Sequence, residues 1–198
     1  MSAPTRTEQA RSAQRRAQLL AGAVRLLLGG GIAAVTHRGV AQAANASPGS
    51  VRYHFDTRGD LLAACVDEIE RTRSLEAERI IDKVSEGGPF DRGSVARMLL
   101  GAYYGPTMDD HAITGTFWSI IDCGRESPEL GQLLGKYRQT ATRQLERILS
   151  ACGYQTLQPS LVAAVLDGSV LTATVESLSP VAESAVADLA AILRMAEA

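Results

Sequence analysis

The amino-acid sequence predicts an all-α protein, and three observations support this fold class. Apolar residues recur at the three- and four-residue spacing of amphipathic helices along most of the 198-residue chain, as at Leu19, Ala23 and Leu27. No segment shows the alternation of apolar and polar residues that is typical of a half-buried strand. Glycine and proline interrupt the helical pattern at intervals, most clearly at Gly87-Gly88-Pro89.

The helices can be placed in order along the chain. The first is predicted over residues 11–28 and ends at the triple glycine 29–31, which lacks the preceding strand and the following Gly-Lys-Ser/Thr of a phosphate-binding loop. Another begins after residues 56–57, and the rest are predicted over residues 91–104, 113–124, 128–152, 159–178 and 181–195. We expect a domain of residues 1–56 and a larger helical domain of residues 57–198.

Residues 36–55, THRGVAQAANASPGSVRYHF, predict two short helices joined by a tight turn. Thr36 is a suitable N-cap for the first helix, and Asn45-Ala46 interrupts it. Ser47 is a suitable N-cap for the second, with Pro48 in the first turn, where no N–H bond is lost. The segment is therefore interpreted as a helix-turn-helix, a motif whose second helix enters the major groove of DNA.

The second helix of this motif has an apolar side and a polar side. Val51 and Phe55 are four residues apart, on the face that we expect to be buried. The side chains that remain outside are rich in hydrogen-bond donors: Ser50, Arg52, Tyr53 and His54. Donors of this kind on a helix of this length suit the reading of base edges.

Charge is distributed unevenly along the chain. Residues 1–55 carry seven arginines and one glutamate, a net charge of +6, so the remainder must carry −8 to give the total of −2. A basic end on an otherwise acidic chain favours a polyanionic partner such as DNA. For the Arg15-Arg16 pair taken by itself, an ordinary solvated helix face is the alternative explanation.

The sequence gives no indication of a membrane or secreted protein. It has no run of 18 apolar residues and no secretory signal pattern, so we expect a cytoplasmic protein. Cys65, Cys123 and Cys152 are far apart and lack metal-ligand spacing. We interpret them as buried structural thiols rather than as a disulfide framework or a zinc site, and we expect no cofactor.

Residues 11–65 resemble the TetR (tetracycline repressor) family of bacterial transcription regulators. The resemblance rests on the arginine-rich first helix and on the residues that follow it: Gly31, Thr36, Val40-Ala41, Ala44, Ser47, Gly49, Ser50, Val51, Tyr53-His54-Phe55 and Arg58-Gly59-Asp60-Leu61-Leu62. Beyond residue 65 only the length and the all-helical pattern are similar. The resemblance implies a ligand-responsive regulator, specifically a repressor released from its operator by a small organic effector.

The resemblance also implies roles for individual residues of the helix-turn-helix. At the start of the first helix of the motif, the DNA backbone would be contacted by Thr36, His37 and Arg38. Arg58 would bind a phosphate. The groove-facing set implied for the second helix and its N-cap is Ser47, Pro48, Gly49, Ser50, Arg52, Tyr53 and His54. For each residue, an exposed or merely capping side chain is the alternative.

Two positions depart from the family pattern. Asn45 stands in the turn where the family usually has glycine, and asparagine enters the left-handed region more readily than most other residues. Arg52 stands where the family usually has a phosphate-contacting tyrosine. Its guanidinium can bind a phosphate or read a guanine edge, and the sequence leaves both roles open.

The carboxy-terminal helices predict a homodimer. Helices 128–152 and 159–178 carry broad apolar stripes, and small residues such as Ala164 and Gly168 allow close helix approach. The resemblance implies a four-helix interface between two subunits, and such a two-fold symmetric dimer predicts a palindromic operator on double-stranded DNA. The alternative is that these stripes belong to the intramolecular core.

A ligand-responsive regulator also needs a cavity for its effector. Residues 91–124 combine aromatic and sulfur-containing side chains with few charges, and the candidates are Met98, Tyr103, Met108, Phe117, Trp118, Ile121 and Asp122. Side chains of this kind at helical spacing can instead be core residues. Asp109-Asp110-His111 is interpreted as a solvated segment rather than as a metal site.

Two other classes of function are alternatives to a regulator. An enzyme is disfavoured because the sequence has no HExxH, GxSxG or Cys/His constellation, so no catalytic residue is assigned. The other class is a helical accessory protein that binds a partner protein and does not read DNA. Specific, salt-sensitive binding to a short duplex would discriminate a regulator from both.

Overall fold

The protein structure, a computed structural model, describes residues 6–177 and 180–197. In these ranges the chain forms nine helices and no strand, which confirms the predicted all-α fold class. The helices are α1 (Arg6–Ala34), α2 (His37–Ala43), α3 (Pro48–His54), α4 (Arg58–Ser85), α5 (Arg92–Tyr104), α6 (Asp110–Glu126), α7 (Pro128–Ala151), α8 (Pro159–Val175) and α9 (Val181–Ala196).

The chain divides into two compact units, one that ends at Ile69 and one that begins at Glu70. Helix α4 contributes its first turns to the amino-terminal unit and its remainder to the carboxy-terminal unit. The boundary predicted after residue 56 falls in the loop before α4. It remains a prediction of where the DNA-binding domain ends and the effector-binding domain begins. The polar residues of this loop are visible in the sequence, whereas the packing of the amino-terminal unit continues into the first turns of α4.

Helix α1 supplies one buried face to the amino-terminal unit. Leu19, Ala23 and Leu27 are fully buried and lie four residues apart along it. The helix ends later than predicted, because Gly29 and Gly30 are helical and only Gly31 departs from helical geometry, with φ 66°. Glycine suits this position because it has no Cβ to oppose a positive φ.

One stretch of α1, Gln9–Ala34, is long and apolar enough to cross a membrane by length and composition alone. However, the helix breaks within this stretch at Gly31, and 28% of its apolar window is buried. The buried side chains of Leu19, Leu20, Ala23 and Leu27 belong to the core of the amino-terminal unit.

The core of the carboxy-terminal unit is built around α5. Almost every residue of this helix from Val95 to Tyr104 is buried, and α5 packs against α6, α7 and α9. The second half of α4 adds Ile80, Ile81 and Val84 to the same core, and α8 packs against α6, α7 and α9. Of the predicted structural thiols, Cys123 is buried in this unit, Cys65 is buried in the other, and Cys152 is partly exposed.

Helix α6 begins earlier than predicted, because its first turn is capped by acidic side chains. Asp109 Oδ1 accepts the backbone N–H of Ala112 at 2.8 Å, which starts the helix at Asp110 rather than near residue 113. Asp110 Oδ1 accepts the N–H of Val181 at 2.7 Å and so joins α6 to the start of α9. Among the described residues no group of His, Cys, Asp and Glu side chains is arranged to hold a metal ion.

Helix α7 buries its apolar stripe inside its own subunit. Leu145, Ile148 and Leu149 belong to the intramolecular core, and Leu130 and Leu134 are also buried. For these stripe residues the alternative of an intramolecular core is therefore correct, whereas a dimer interface formed by residues 128–152 and 159–178 stays a prediction. Sequence periodicity shows that a helix face is buried but does not show which partner buries it.

Helix α8 divides its apolar residues between two faces. Val162, Leu166 and Val170 are fully buried, whereas Leu161, Leu171 and Val175 are exposed. The helix ends at Val175, before the predicted residue 178, and Leu178 lies outside the described residues. Unlike α7, helix α8 therefore has an apolar surface that its own subunit leaves uncovered.

Candidate nucleic-acid interface

Helix α2 begins at the predicted cap. The Oγ1 atom of Thr36 accepts the backbone N–H of Gly39 at 3.0 Å, while Val40 and Ala41 are buried. A Cβ atom at Gly39 would stand 2.7 Å from the carbonyl oxygen of Ala34. The segment that enters α2 can therefore pack this closely only because residue 39 has no side chain.

The turn between α2 and α3 is closed by a left-handed residue, as predicted. Asn45 has φ 47°, its N–H donates to the carbonyl oxygen of Gln42 at 3.3 Å, and Ala46 N–H donates to that of Ala41 at 2.8 Å. This pair of bonds is the Schellman pattern, which satisfies carbonyls at a helix end. Asparagine therefore replaces the usual glycine in this turn without disrupting its hydrogen bonding.

Helix α3 is two-sided. Ser47 Oγ accepts the N–H of Ser50 at 3.1 Å at its start, and Val51 and Phe55 are buried. The opposite side carries Arg52, which is exposed, and Tyr53, whose surface is 81% exposed. Both side chains are therefore accessible to a partner.

Most members of the predicted DNA-contact set lie at the surface of the amino-terminal unit. The exposed residues of the set are Thr36, Arg38, Ser47, Pro48, Gly49, Arg52 and Tyr53. Ser50 and His54 are half-buried. Since these residues come from the start of α2 and from α3 and its N-cap, the fold presents the side chains that a helix-turn-helix would use.

His37 and Arg58 differ from the rest of the set, because their side chains have partners inside the unit. His37 Nε2 lies 2.8 Å from the carbonyl oxygen of Phe55. Arg58 donates from Nε to the carbonyl oxygen of Val35 at 3.0 Å and from Nη2 to that of Ile32 at 2.6 Å. These contacts join the ends of α1 and α3 to their neighbours, so both residues have structural roles that the sequence did not indicate.

The arginines of α1 act electrostatically on side chains at the end of α3. Arg16 places its guanidinium carbon 4.9 Å from the centroid of the Phe55 ring, a cation–π distance. Partial burial lowers the pKa of His54 below its usual value of 6.5, and the positive charges of Arg16 and Arg15 lower this pKa further. The positive charges of the Arg15-Arg16 pair therefore act together with burial to disfavour the protonated form of His54.

The segment from the middle of α1 to the start of α4 matches a family model. This model, described as bacterial regulatory proteins of the tetR family, covers residues 19–65, which include the whole helix-turn-helix, the second half of α1 and the first two turns of α4. This segment is therefore similar to the tetR family of bacterial regulatory proteins. The likeness favours a transcription regulator over the enzyme alternative.

Solved structures are similar to this protein along most of its length. The multidrug binding protein EbrR, in complex with imidazole, is 26% identical, with 89% of this chain and 88% of that chain covered and a TM-score of 0.60. A TetR-family member from Streptomyces coelicolor is 23% identical, with coverages of 89% and 96% and a TM-score of 0.66.

A transcriptional regulator from Saccharomonospora viridis in complex with choline is 14% identical, with coverages of 92% and 96% and a TM-score of 0.72. At this level of identity the likeness shows the fold alone. A comparison with curated proteins finds no match.

The seven candidate effector residues do not lie in one environment. Met98, Tyr103 and Phe117 are buried, and Ile121 and Asp122 are half-buried. Met108 and Trp118 are 37% and 40% exposed. An effector cavity formed by the buried members therefore remains a prediction, and Trp118 and Met108 lie at the surface rather than among core side chains.

Sequence reasoning missed a polar cluster next to Tyr103. Asp167 of α8 accepts hydrogen bonds from the hydroxyls of Tyr103 and Tyr104, each at 3.1 Å. Arg138 of α7 donates to the same carboxylate at 3.0 Å. A tyrosine pair with a distant aspartate and arginine carries no local sequence signal, because the partners are separated by 29 to 64 residues.

A second polar network lies within the carboxy-terminal unit, centred on the buried Arg73. Its guanidinium donates to Glu70 at 2.7 Å, to the carbonyl oxygen of Ala102 at 2.7 Å and to Gln144 Oε1 at 2.8 Å. Gln144 in turn donates to Glu78 at 2.8 Å. The hydrogen bond from Gln144 lowers the pKa of Glu78, so the network stays charged and ties α4, α5 and α7 together.

Proposed function

We propose that this protein is a homodimeric repressor that binds a palindromic operator through α2 and α3 and dissociates when a small organic effector binds. The two-sided α3 carries the proposal: Val51 and Phe55 fix the helix in the core, and Arg52 and Tyr53 stand open on its other side. A helix that is held from one face and carries donors on the other can enter a major groove without unfolding its own domain.

The proposed contacts to DNA fall into two groups. Arg52, Tyr53 and the first turn of α3 would approach base edges, and Thr36 and Arg38 would contact the phosphates beside them. His37 and Arg58 support this surface from within, through their bonds to main-chain carbonyls. The net positive charge of residues 1–55 supplies the sequence-independent part of the affinity.

The proposed dimer interface is the uncovered face of α8. Its exposed residues follow the three- and four-residue spacing of helix-pairing seams: Leu161, Ala164, Gly168, Leu171 and Val175. Ala164 and Gly168 lie in the middle of this seam, and no atom lies within 4 Å of a Cβ placed at Gly168. Two copies of α8 could therefore approach closely at the small residues and bury the larger ones at either side.

The proposed effector is an organic molecule that binds in the carboxy-terminal unit. EbrR is described as a multidrug binding protein, and another similar structure is described as a complex of SmeT with triclosan. The effector must bind the DNA-incompetent arrangement more tightly than the competent one, because equal affinity for both would shift no population.

The test is to select genomic fragments that the purified protein retains and to identify the sequence they share. We expect a palindrome whose half-site centres are separated by about one helical turn of DNA, roughly 34–36 Å, or by somewhat more if the operator is long. Recovery of fragments without a shared sequence would contradict a specific regulator and would favour the accessory protein. Genes beside the recovered operator would then narrow the chemistry of the effector.

A further inference from the structure

Two tyrosine rings and a carboxylate converge where α5, α7 and α8 meet. Tyr103 and Tyr104 of α5 stand edge to face, with their ring centroids 5.1 Å apart and their planes at 90°. Each hydroxyl donates to a different oxygen of Asp167, Tyr103 to Oδ2 and Tyr104 to Oδ1. We call these three residues, which present aromatic surface beside a negative charge, the Tyr-Tyr-Asp cluster.

A positive charge of the protein itself occupies this cluster. Arg138 Nη2 lies 3.0 Å from Asp167 Oδ2, and its guanidinium carbon lies 5.8 Å from the centroid of the Tyr103 ring. The Arg138 side chain is 46% exposed and that of Asp167 27% exposed, so the guanidinium lies on the solvent side of the carboxylate. An outward turn of this half-exposed side chain would uncover the carboxylate.

The tyrosine hydroxyls stay protonated in this environment. Burial raises the pKa of both groups well above the usual value of 10, and the negative charge of Asp167 raises them further. Both hydroxyls therefore act as donors to Asp167, and the cluster without Arg138 carries one net negative charge. A neutral or anionic molecule that displaced Arg138 would leave this partly buried carboxylate without a counter-charge, which is unfavourable.

We propose that the Tyr-Tyr-Asp cluster binds the positively charged group of an organic cation, which takes the place of the Arg138 guanidinium. Substituted ammonium groups bind well between aromatic faces and a carboxylate, because the ring quadrupole and the negative charge both attract them. The inference rests on the proposed function, in that it gives the chemical class of the effector. It makes Arg138 an internal competitor of that effector.

This competition predicts the direction in which a substitution of Arg138 changes the affinity. Removal of the Arg138 guanidinium frees the cluster in every molecule, so the apparent affinity for a cation rises. The factor of this rise is the inverse of the fraction of molecules in which the cluster was free before the substitution. If Arg138 instead recognised an anionic effector, the same substitution would weaken binding. The two ligand classes are therefore separated by one variant.

The experiment is isothermal titration calorimetry of the full chain with benzyltrimethylammonium, its uncharged isostere neopentylbenzene, and benzoate. We expect benzyltrimethylammonium to bind at least about tenfold more tightly than neopentylbenzene. Asp167→Asn should weaken cation binding at least about tenfold, and Arg138→Gln should strengthen it at least about threefold. Arg143→Gln is the matched control, because Arg143 is exposed on the same helix and donates to Thr140 at 3.1 Å.

Two further variants separate binding from folding. Tyr103→Phe keeps the aromatic face and should retain cation binding within about threefold, whereas Tyr103→Leu should weaken it at least about tenfold. Benzoate binding that Arg138→Gln abolishes would overturn the proposal in favour of an anion site. Absence of benzyltrimethylammonium binding at millimolar concentration, in both the natural chain and Arg138→Gln, would also overturn it.

Operator binding, measured in parallel by fluorescence anisotropy, distinguishes this inference from the proposed function. If the protein binds its operator but benzyltrimethylammonium neither binds nor releases DNA, the cation inference fails and the repressor proposal stands. If the cation binds with the expected variant pattern but no operator is recognised, the repressor proposal fails and the cation site stands.

Discussion

The Nε2 atom of His37 lies 2.8 Å from the main-chain oxygen of Phe55, and this bond joins the first residue of α2 to the C-cap of α3. Because a carbonyl oxygen only accepts hydrogen bonds, Nε2 must carry the proton. The bond spans 18 residues and closes the helix-turn-helix across its turn. The DNA-backbone role that the family resemblance implies for His37 therefore competes with a structural role.

We expect His37→Ala to lower the free energy of unfolding by about 1–2 kcal/mol, because it leaves the Phe55 carbonyl without this donor. His37→Gln should lower it less, since the glutamine amide can donate from a similar position. Arg38→Ala is the control, because this neighbouring side chain is exposed and should change stability by less than about 0.5 kcal/mol. Urea denaturation measures all three, and equal effects of His37→Ala and Arg38→Ala would contradict the structural role.

The fold of the amino-terminal unit was predictable because its signals are local. Thr36, Ser47 and Asn45 each act within a few residues, as caps or as a left-handed turn. The partners of His37 and Arg58 are 18 or more residues away, and no pattern of neighbouring residues reports them. The sequence could therefore predict the helices and turn of the motif but not the side chains that support them, and the DNA-contact surface stays a prediction.

The same distinction explains what the sequence left open in the carboxy-terminal unit. The apolar stripe of α7 was identified, yet its burial by its own subunit depends on tertiary packing that periodicity does not encode. Trp118 was chosen for its residue type in a segment with few charges, and its role as a ligand contact stays a prediction, since its side chain is 40% exposed. Tyr104, Asp167 and Arg138 were missed because they meet only after three helices have packed.

His54 should titrate below its usual pKa in the free protein. Partial burial and the charges of Arg16 and Arg15 disfavour its protonated form in the folded state, so the unfolded chain binds the proton first as the pH falls. The stability contributed by neutral His54 is thus present above pH 6.5 and is lost as the pH falls below that value.

A titration of the imidazole resonances by NMR measures this pKa. We expect a midpoint below 6.5 for His54, a higher midpoint in Arg16→Gln, and no change in Arg11→Gln. Operator binding should also raise the midpoint, because phosphates favour the protonated ring. A midpoint at or above 6.5 in the free protein would show that the arginines of α1 do not control this histidine.

Arg52→Ala should distinguish base reading from phosphate binding. If Arg52 reads a base, the substitution should cost about 1–3 kcal/mol per half-site and relax the preference at one operator position. If it holds a phosphate, all sequences should be bound more weakly, and the log-log salt slope of a dimer should fall by about 2, or about 0.9 for each lost contact. We expect the phosphate result, because the family usually has a phosphate-binding tyrosine at this position.

Titrations of Arg52→Ala with the operator and with single-base variants of it, at several salt concentrations, make this measurement. An unchanged affinity, base preference and salt slope would show that neither role is correct. The exposed position of Arg52 allows the substitution without loss of core packing.

Leu171→Glu should dissociate the dimer. It places a charge in the proposed α8 seam, where a second copy would have to desolvate it. Leu75→Glu is a matched control, because Leu75 is an exposed leucine on α4, outside this seam. Sedimentation should show a dimer at micromolar concentration for the natural chain and for Leu75→Glu, and a monomer for Leu171→Glu. A monomeric natural chain that stays monomeric on operator addition would contradict the interface.

The most direct measurement of the central claim is the salt-dependent affinity of the protein for its selected operator and for a scrambled duplex of equal length. Fluorescence anisotropy should show an operator affinity at least about a thousandfold greater than that for the scrambled duplex, and the operator affinity should fall steeply as salt rises. Equal affinity for the two duplexes at every salt concentration would contradict the conclusion that α3 reads a DNA sequence.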